Sequence, residues 1–238
     1  FQAVHNLSEW CVVHRKFSGE ETCNLPVPFA VSGIVTNRVG SFVAIWSDKY
    51  DKIGLYTFDG TKIATCRFQD IVHLSHRSDR ASSIAFDPIN PDRLFIGTKQ
   101  GNLVVYNLKT AERLDEFADS KRRPVEILTI SSSGSLIAYS YARANYVVAR
   151  YKHSESISDI RSFFLSQKIK TLAFSYDDKY LLVVTDTGFE IRNLATRNVI
   201  FRSKPIMDIV DAVWVPEFGQ YTVLAASKSG KINCVSLR

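Results

Sequence analysis

No stretch of the 238 residues approaches the roughly 20 consecutive apolar positions that a membrane-spanning helix needs. The opening "FQAVHNLSEW" lacks a basic region followed by an apolar core, so it does not read as a secretory leader. Methionine is nearly absent: Met207 is the only one, and none stands at the start. That points to a chain that begins inside a longer polypeptide or lacks some of its residues. Cysteine is sparse too, at Cys11, Cys23, Cys66 and Cys234, with no CxxC pair and no spacing that joins histidines into a zinc site. A disulfide framework is not expected at this size and cysteine content, and a reducing intracellular compartment, cytoplasmic or nuclear, is. Catalytic signatures are missing as well: there is no GxSxG elbow, HExxH, GxxxxGK[ST] or GxGxxG. His73 and His76 are spaced as a metal pair but have no further ligand nearby, and no motif asks for a cofactor. No enzyme is expected. Helical periodicity is absent at any useful length, and "RSFFLSQKIKTL" is better explained as a strand and its connection.

What the sequence does contain is a repeat. "GTKQGNLVVYNLKT", from Gly97 to Thr110, sets a tight turn before an alternating strand. Four further copies follow the same plan: "SDKYDKIGLYTFDG", "SYARANYVVARYKHS", "TDTGFEIRNLAT" and "SKSGKINCVSLR". Their turns, at Asp51, Gly101, Ala144, Gly188 and Gly230, recur every 42–50 residues. Two strands precede each copy, as "SSIAFDP" and "RLFIGTK" precede the one at Gly101, and a more polar strand such as "RLDEFAD" follows. Four short strands per unit of this length are the pattern of a propeller blade. The inner strands are almost continuously apolar, as expected where both faces of a strand pack against neighbouring sheets.

These units resemble degenerate WD repeats. Tyr106-Asn107 stands where that family usually ends its third strand in Trp-Asp, with Gly101 in the turn before it; Arg192-Asn193 and Val235-Ser236 are weaker equivalents. The family's Gly-His pair is missing, His73 and His76 being the only candidates for its histidine. Its Asp before the turn glycine is replaced by Gln100, Thr187 and Ser229. The resemblance covers about residues 29 to 238 and implies an all-β fold: a β-propeller of four-stranded antiparallel blades. About five blades are legible, at 29–70, 81–119, 124–166, 168–204 and 206–238, in one domain spanning 1–238. Residues 1–28 are expected to supply the strand or strands that close the ring. Because WD propellers usually have seven blades, three accounts stand open. The chain is truncated, which is favoured, or the ring is unusually small, or an open ring is completed by a partner chain.

Placed on such blades, the charges separate. The end carrying the second-to-third strand turns receives Arg77, Arg80, Lys99, Lys121, Arg122, Arg123, Arg143, Lys168, Lys204 and Lys228, against Asp48, Asp51, Asp79, Asp186 and Asp208. The other end mixes signs, with Asp87, Asp92, Arg93, Lys109, Glu112, Asp177 and Asp178, the last two reading as a solvated turn. The candidate partner-binding residues are therefore Arg77, Arg80, Lys99, Lys121, Arg122, Arg123, Arg143, Lys168 and Lys228. With a net charge of +6, such a surface attracts acidic or phosphorylated protein segments, or nucleic-acid backbone. The expected function is a non-enzymatic protein-protein interaction scaffold, a subunit of an intracellular multiprotein complex. The alternative is a nucleic-acid-associated subunit in RNA processing or chromatin. Membrane binding is not expected, because the Phe-Arg-Arg-Gly motif of phosphoinositide-binding propellers is absent.

Overall fold

Apolar runs of five or six residues broken by small polar ones dictate short strands joined by tight turns, and the fold follows that rhythm. The computed structural model describes residues 2–6, 9–15, 21–27, 29–49, 53–57, 69–70, 79–110, 112–118, 121–141, 145–152, 155–206, 208–218 and 221–237. Among the described residues the strands divide into six antiparallel sheets, each a simple meander. The first holds β1 (Gln2–Asn6), β2 (Glu9–Arg15) and β3 (Glu21–Val27). The second holds β4 (Gly33–Thr36), β5 (Phe42–Trp46), β6 (Ile53–Thr57) and β7 (Gln69–Asp70). The third holds β8 (Ala81–Phe86), β9 (Arg93–Thr98), β10 (Asn102–Asn107) and β11 (Glu112–Ala118). The fourth holds β12 (Val125–Ile130), β13 (Leu136–Tyr141), β14 (Asn145–Lys152) and β15 (Glu155–Phe164). The fifth holds β16 (Ile169–Phe174), β17 (Tyr180–Thr185), β18 (Phe189–Asn193) and β19 (Val199–Arg202). The sixth holds β20 (Ile209–Trp214), β21 (Thr222–Ser227) and β22 (Ile232–Ser236). The sequence assigns residues 1–28 one or two strands that complete another sheet. The strands described there number three and pair with one another.

By internal contacts the chain divides into two units, Phe1–Val125 and Glu126–Arg238. In the first, Val43 and Ile45 of β5 join Val27, Phe29 and Tyr56 in one buried cluster. Ala44, between them, belongs to a second cluster with Ile84 and Phe86 of β8 and Leu94 and Ile96 of β9. The second unit repeats the device on β17. Leu181 and Val183 pack with Ala138, Tyr146 and Leu172, while Leu182 and Val184 pack with Ile209, Ala212 and Val223. Because successive side chains of a strand point to opposite faces, an uninterrupted apolar run serves two cores at once. The edge strands have only one sheet neighbour, and β11 is correspondingly exposed at Glu112, Arg113 and Leu114.

The first-to-second strand turns share one construction. The residue just after the first strand is polar and buried: Asn37, Asp87, Ser131 and Ser175 in the second to fifth sheets. Its side chain accepts a hydrogen bond from a backbone N–H within the turn. The donors are Phe42 to Asn37 at 3.1 Å, Ile89 to Asp87 at 2.8 Å, Leu136 to Ser131 at 3.0 Å and Tyr180 to Ser175 at 3.0 Å. Each such bond satisfies a donor that the turn would otherwise strand away from the ladder. Asp87 also takes Arg93 Nη1 at 3.1 Å, so these two residues, expected as exposed charges, form a buried ion pair.

Asp177 and Asp178 differ likewise from the solvated turn expected of them. Asp178, held at φ 58°, accepts the backbone N–H groups of Ser132 and Ser133 at 2.9 and 3.0 Å and so ties the fourth sheet to the fifth. Asp177 accepts the Tyr221 hydroxyl at 2.7 Å and Ser175 Oγ at 2.8 Å, with Lys179 Nζ at 3.1 Å. Burial raises the pKa of Asp177, but the hydrogen bonds from Tyr221, Lys179 and Ser175 outweigh it and hold the carboxyl at about 2. A carboxyl depressed in the folded state stabilises above its unfolded value and loses that contribution as pH falls through the folded one. Asp177→Asn should therefore melt below the wild type at pH 7, and the gap should close between pH 3.8 and about 2. Thermal melts at pH 7, 4 and 2.5 check this, and a gap unchanged with pH would contradict it.

Candidate functional site

The charged loops of the first unit converge at one end of the third sheet. Between β9 and β10 the chain reverses over residues 99–101, with Gly101 at φ 87° and its N–H bonded to Thr98 O at 3.2 Å. Thr98 Oγ1 accepts the Asn102 N–H at 3.0 Å, closing the turn from inside. Asp79, 2% exposed, braces the same turn from the chain ahead of β8. Its Oδ1 accepts the N–H groups of Arg80 at 2.8 Å and Gln100 at 3.1 Å, and its Oδ2 accepts Asn102 Nδ2 at 3.3 Å. Lys99 N–H donates to Arg80 O at 2.8 Å, which sets these two basic residues side by side in backbone terms. The sequence counts Asp79 among the exposed acids of this surface; burial instead makes it the turn's internal acceptor.

The connection from β11 to β12 lies against that turn. A Cβ placed on Gly101 would sit 2.7 Å from Arg123 O and 3.0 Å from Arg123 N. Arg122, at φ 49°, makes the bend into β12, and Lys121 and Arg122 are exposed while Arg123 is half-buried. Ser82 Oγ donates to Val125 O at 2.5 Å and Gly97 leaves room for the Val125 side chain, so the start of β12 is seated on β8 and β9. The structure thus gathers Arg80, Lys99, Lys121, Arg122 and Arg123 around one braced turn.

Lys99 is partly neutralised. Its Nζ lies 3.2 Å from Asp48 Oδ2, and Ser32 Oγ donates to Asp48 Oδ1 at 2.6 Å. The Ser32 hydroxyl first, and Lys99 second, lower the Asp48 pKa. Both side chains of the pair are more than 40% exposed, so it adds little stability.

Arg77 and Arg143 lie outside the described residues. Lys168 and Lys228 are exposed in the second unit, Lys168 between β15 and β16 and Lys228 between β21 and β22. Lys228 N–H donates to Asp208 O at 2.9 Å, the counterpart in the sixth sheet of the bond from Lys99 to Arg80. His73 and His76 also fall outside the described residues, among which no cluster of three His, Cys, Asp or Glu is close enough to hold a metal.

No family model matches the chain, and no curated protein matches it in sequence. Among solved structures it is similar to the β-propeller domain of Cps50 (Swd1) from Myceliophteria thermophila, at a TM-score of 0.78 and 13% identity. The match covers 97% of this chain and 80% of that one. With the antiparallel meanders described above, that likeness fixes the architecture: the chain is an all-β protein with a β-propeller fold.

Proposed function

We propose that the chain is a non-enzymatic interaction scaffold, a subunit of an intracellular multiprotein complex that receives acidic or phosphorylated segments of its partners on basic loops. The observation that carries this reading is the braced turn of the third sheet. Lys121 and Arg122 are exposed there on a connection whose Arg123 backbone lies against Gly101, in a turn that Asp79 braces. Cationic side chains exposed on a backbone already held in place bind a partner at low ordering cost. The propeller fold is compatible with many functions and decides nothing alone. A net charge of +6 lends weight to a second reading, contact with nucleic-acid backbone, which affinity falling steeply with salt would distinguish.

Affinity purification from the native cell separates these readings. The wild type and a Lys121→Glu/Arg122→Glu variant are compared by mass spectrometry of co-purifying chains, with and without nuclease. The variant should lose a set of protein subunits whose capture nuclease does not affect. Its stability should be nearly unchanged, since exposed loop substitutions stay within about 0.5 kcal/mol each. Identical capture by both proteins would remove the basic loops from the interface, and capture abolished by nuclease would favour the nucleic-acid reading.

A further inference from the structure

The second unit contains a pocket of about 310 Å³ at the end of the fifth sheet. It lies between the β15–β16 connection, the turn from β17 to β18 and the end of β19, and Gln167, Gly188, Glu190, Arg202 and Ser203 are among its lining residues. Glu190 is 5% exposed, and its carboxylate joins two arginines: Oε1 accepts Arg192 Nε at 2.6 Å, and Oε2 accepts Arg202 Nε at 3.4 Å. Arg192 is otherwise occupied by the rings of Tyr146 and Phe163, 5.7 and 5.1 Å from its guanidinium carbon. Arg202 is not. Its side chain is 70% exposed, and among the described residues nothing takes its terminal nitrogens. One buried negative charge between two positive ones leaves the triad with a net charge of +1.

The neighbouring polar groups are turned into donors by the bonds they already make. Gln167 Oε1, at 2.7 Å, is the nearer of two acceptors for the Thr185 hydroxyl, Gly188 O lying at 3.1 Å, and accepting there leaves the amide nitrogen to donate. Ser203 Oγ accepts the Phe189 N–H at 3.0 Å, which leaves its own O–H to donate. Gly188 keeps the pocket open, because a Cβ there would lie 2.6 Å from Ser203 Oγ. Guanidinium, amide and hydroxyl donors around one small space match an oxyanion. The buried Glu190 selects among oxyanions. A monoanionic carboxylate balances the triad's charge, whereas a phosphate dianion would meet a single available guanidinium with a carboxylate behind it.

We propose that this pocket is a socket for one carboxylate of an acidic peptide segment, clamped by Arg202 and held by Gln167 and Ser203. The proposal rests on the reading that partners present acidic segments, and it adds where one of their carboxylates is received.

The test is a titration of the full ¹⁵N-labelled chain, followed by amide NMR, with Ac-Gly-Ser-Glu-Gly-Ser-NH2. The controls are its Gln isostere, the peptide Ac-Gly-Ser-Gly-Gly-Ser with a free C-terminal carboxylate, and inorganic phosphate. The Glu peptide should shift the Gly188 and Phe189 amides and the Gln167 side-chain amide saturably, and the Gln isostere should not. Arg202→Gln should weaken binding about tenfold or more, the worth of a charged hydrogen bond. Arg202→Lys should restore only part of it, for want of the planar fork. If the peptide with a free terminal carboxylate binds more tightly, the carboxylate's source is a chain end rather than a side chain. Equal shifts with the Gln isostere, binding indifferent to Arg202→Gln, or tighter binding of phosphate would each overturn the socket. The Lys121→Glu/Arg122→Glu variant should titrate like the wild type. Loss of partner capture in that variant and loss of peptide binding at Arg202 are therefore separate failures.

Discussion

Asp87→Ala should destabilise the protein by about 3 kcal/mol, because it removes the carboxylate from a buried ion pair and two turn donors lose their acceptor together. Asp87 is 1% exposed and bonds Ile89 N–H at 2.8 Å, Asn90 N–H at 3.1 Å and Arg93 Nη1 at 3.1 Å. Alanine leaves a methyl group where the counter-charge of the Arg93 guanidinium stood. In a chain of this size each kcal/mol moves the melting temperature by roughly 2–4 °C, so a fall of about 6–12 °C is expected by circular dichroism. Asp87→Asn keeps Oδ1 for the two N–H groups but turns an amide nitrogen, which cannot accept, toward Arg93, so it loses the ion pair alone and should fall between wild type and Ala. A melting temperature for Asp87→Ala within 2 °C of wild type would show that the pair contributes little to folding.

Gly101→Val should be nearly as damaging for a different reason. At φ 87° a β-branched residue sits outside its allowed regions, which alone costs about 1–3 kcal/mol. The added Cβ also approaches Arg123 O to 2.7 Å and Arg123 N to 3.0 Å, and both are backbone atoms that cannot rotate aside. The β11–β12 connection must then shift, taking Lys121 and Arg122 with it. The variant should therefore melt lower and also capture partners less well, whereas Lys121→Glu/Arg122→Glu should lose capture at unchanged stability. Gly230→Val is the built-in control. It has a similar φ, 78°, but no atom within 4 Å of the added Cβ, so it should show only the conformational part of the loss. Equal losses at both glycines would mean that the contact with Arg123 contributes nothing.

The repeat is legible in the sequence because it is written in short-range terms. A turn residue, an alternating strand and an apolar run on both faces recur wherever a meander must be built, and Leu181 to Val184 display this plainly. The N-terminal sheet is harder to see because "NLPVPF" and "VHNLSEW" combine strand residues with prolines and polar breaks, so no repeat frame captures them. The braces are invisible for another reason. Asp79 acts on Gln100 and Asn102 across 21 and 23 residues, and nothing in its neighbourhood distinguishes it from the exposed acids. The Arg202 pocket is hidden likewise, because its members come from the β15–β16 connection, the β17–β18 turn and the end of β19. Residue types show where a charge falls along the chain; which charges are consumed internally depends on partners brought near by folding.

The recurring acceptors after the first strand, Asn37, Asp87, Ser131 and Ser175, carry a consequence for how such a chain diverges. Each turn is specified by one small polar side chain, here of three types (Asn, Asp or Ser), and the core asks only for apolar volume at alternate positions. Exposed positions outside these turns and outside the braces at Asp79, Gly101 and Asp178 are then open to drift without loss of the fold. The same fold is then compatible with very different letters, and the chain is 13% identical to the propeller domain it resembles at a TM-score of 0.78. Exposed loop tips outside the braces, such as Lys121 and Arg122, are then the part on which selection for particular partners can act.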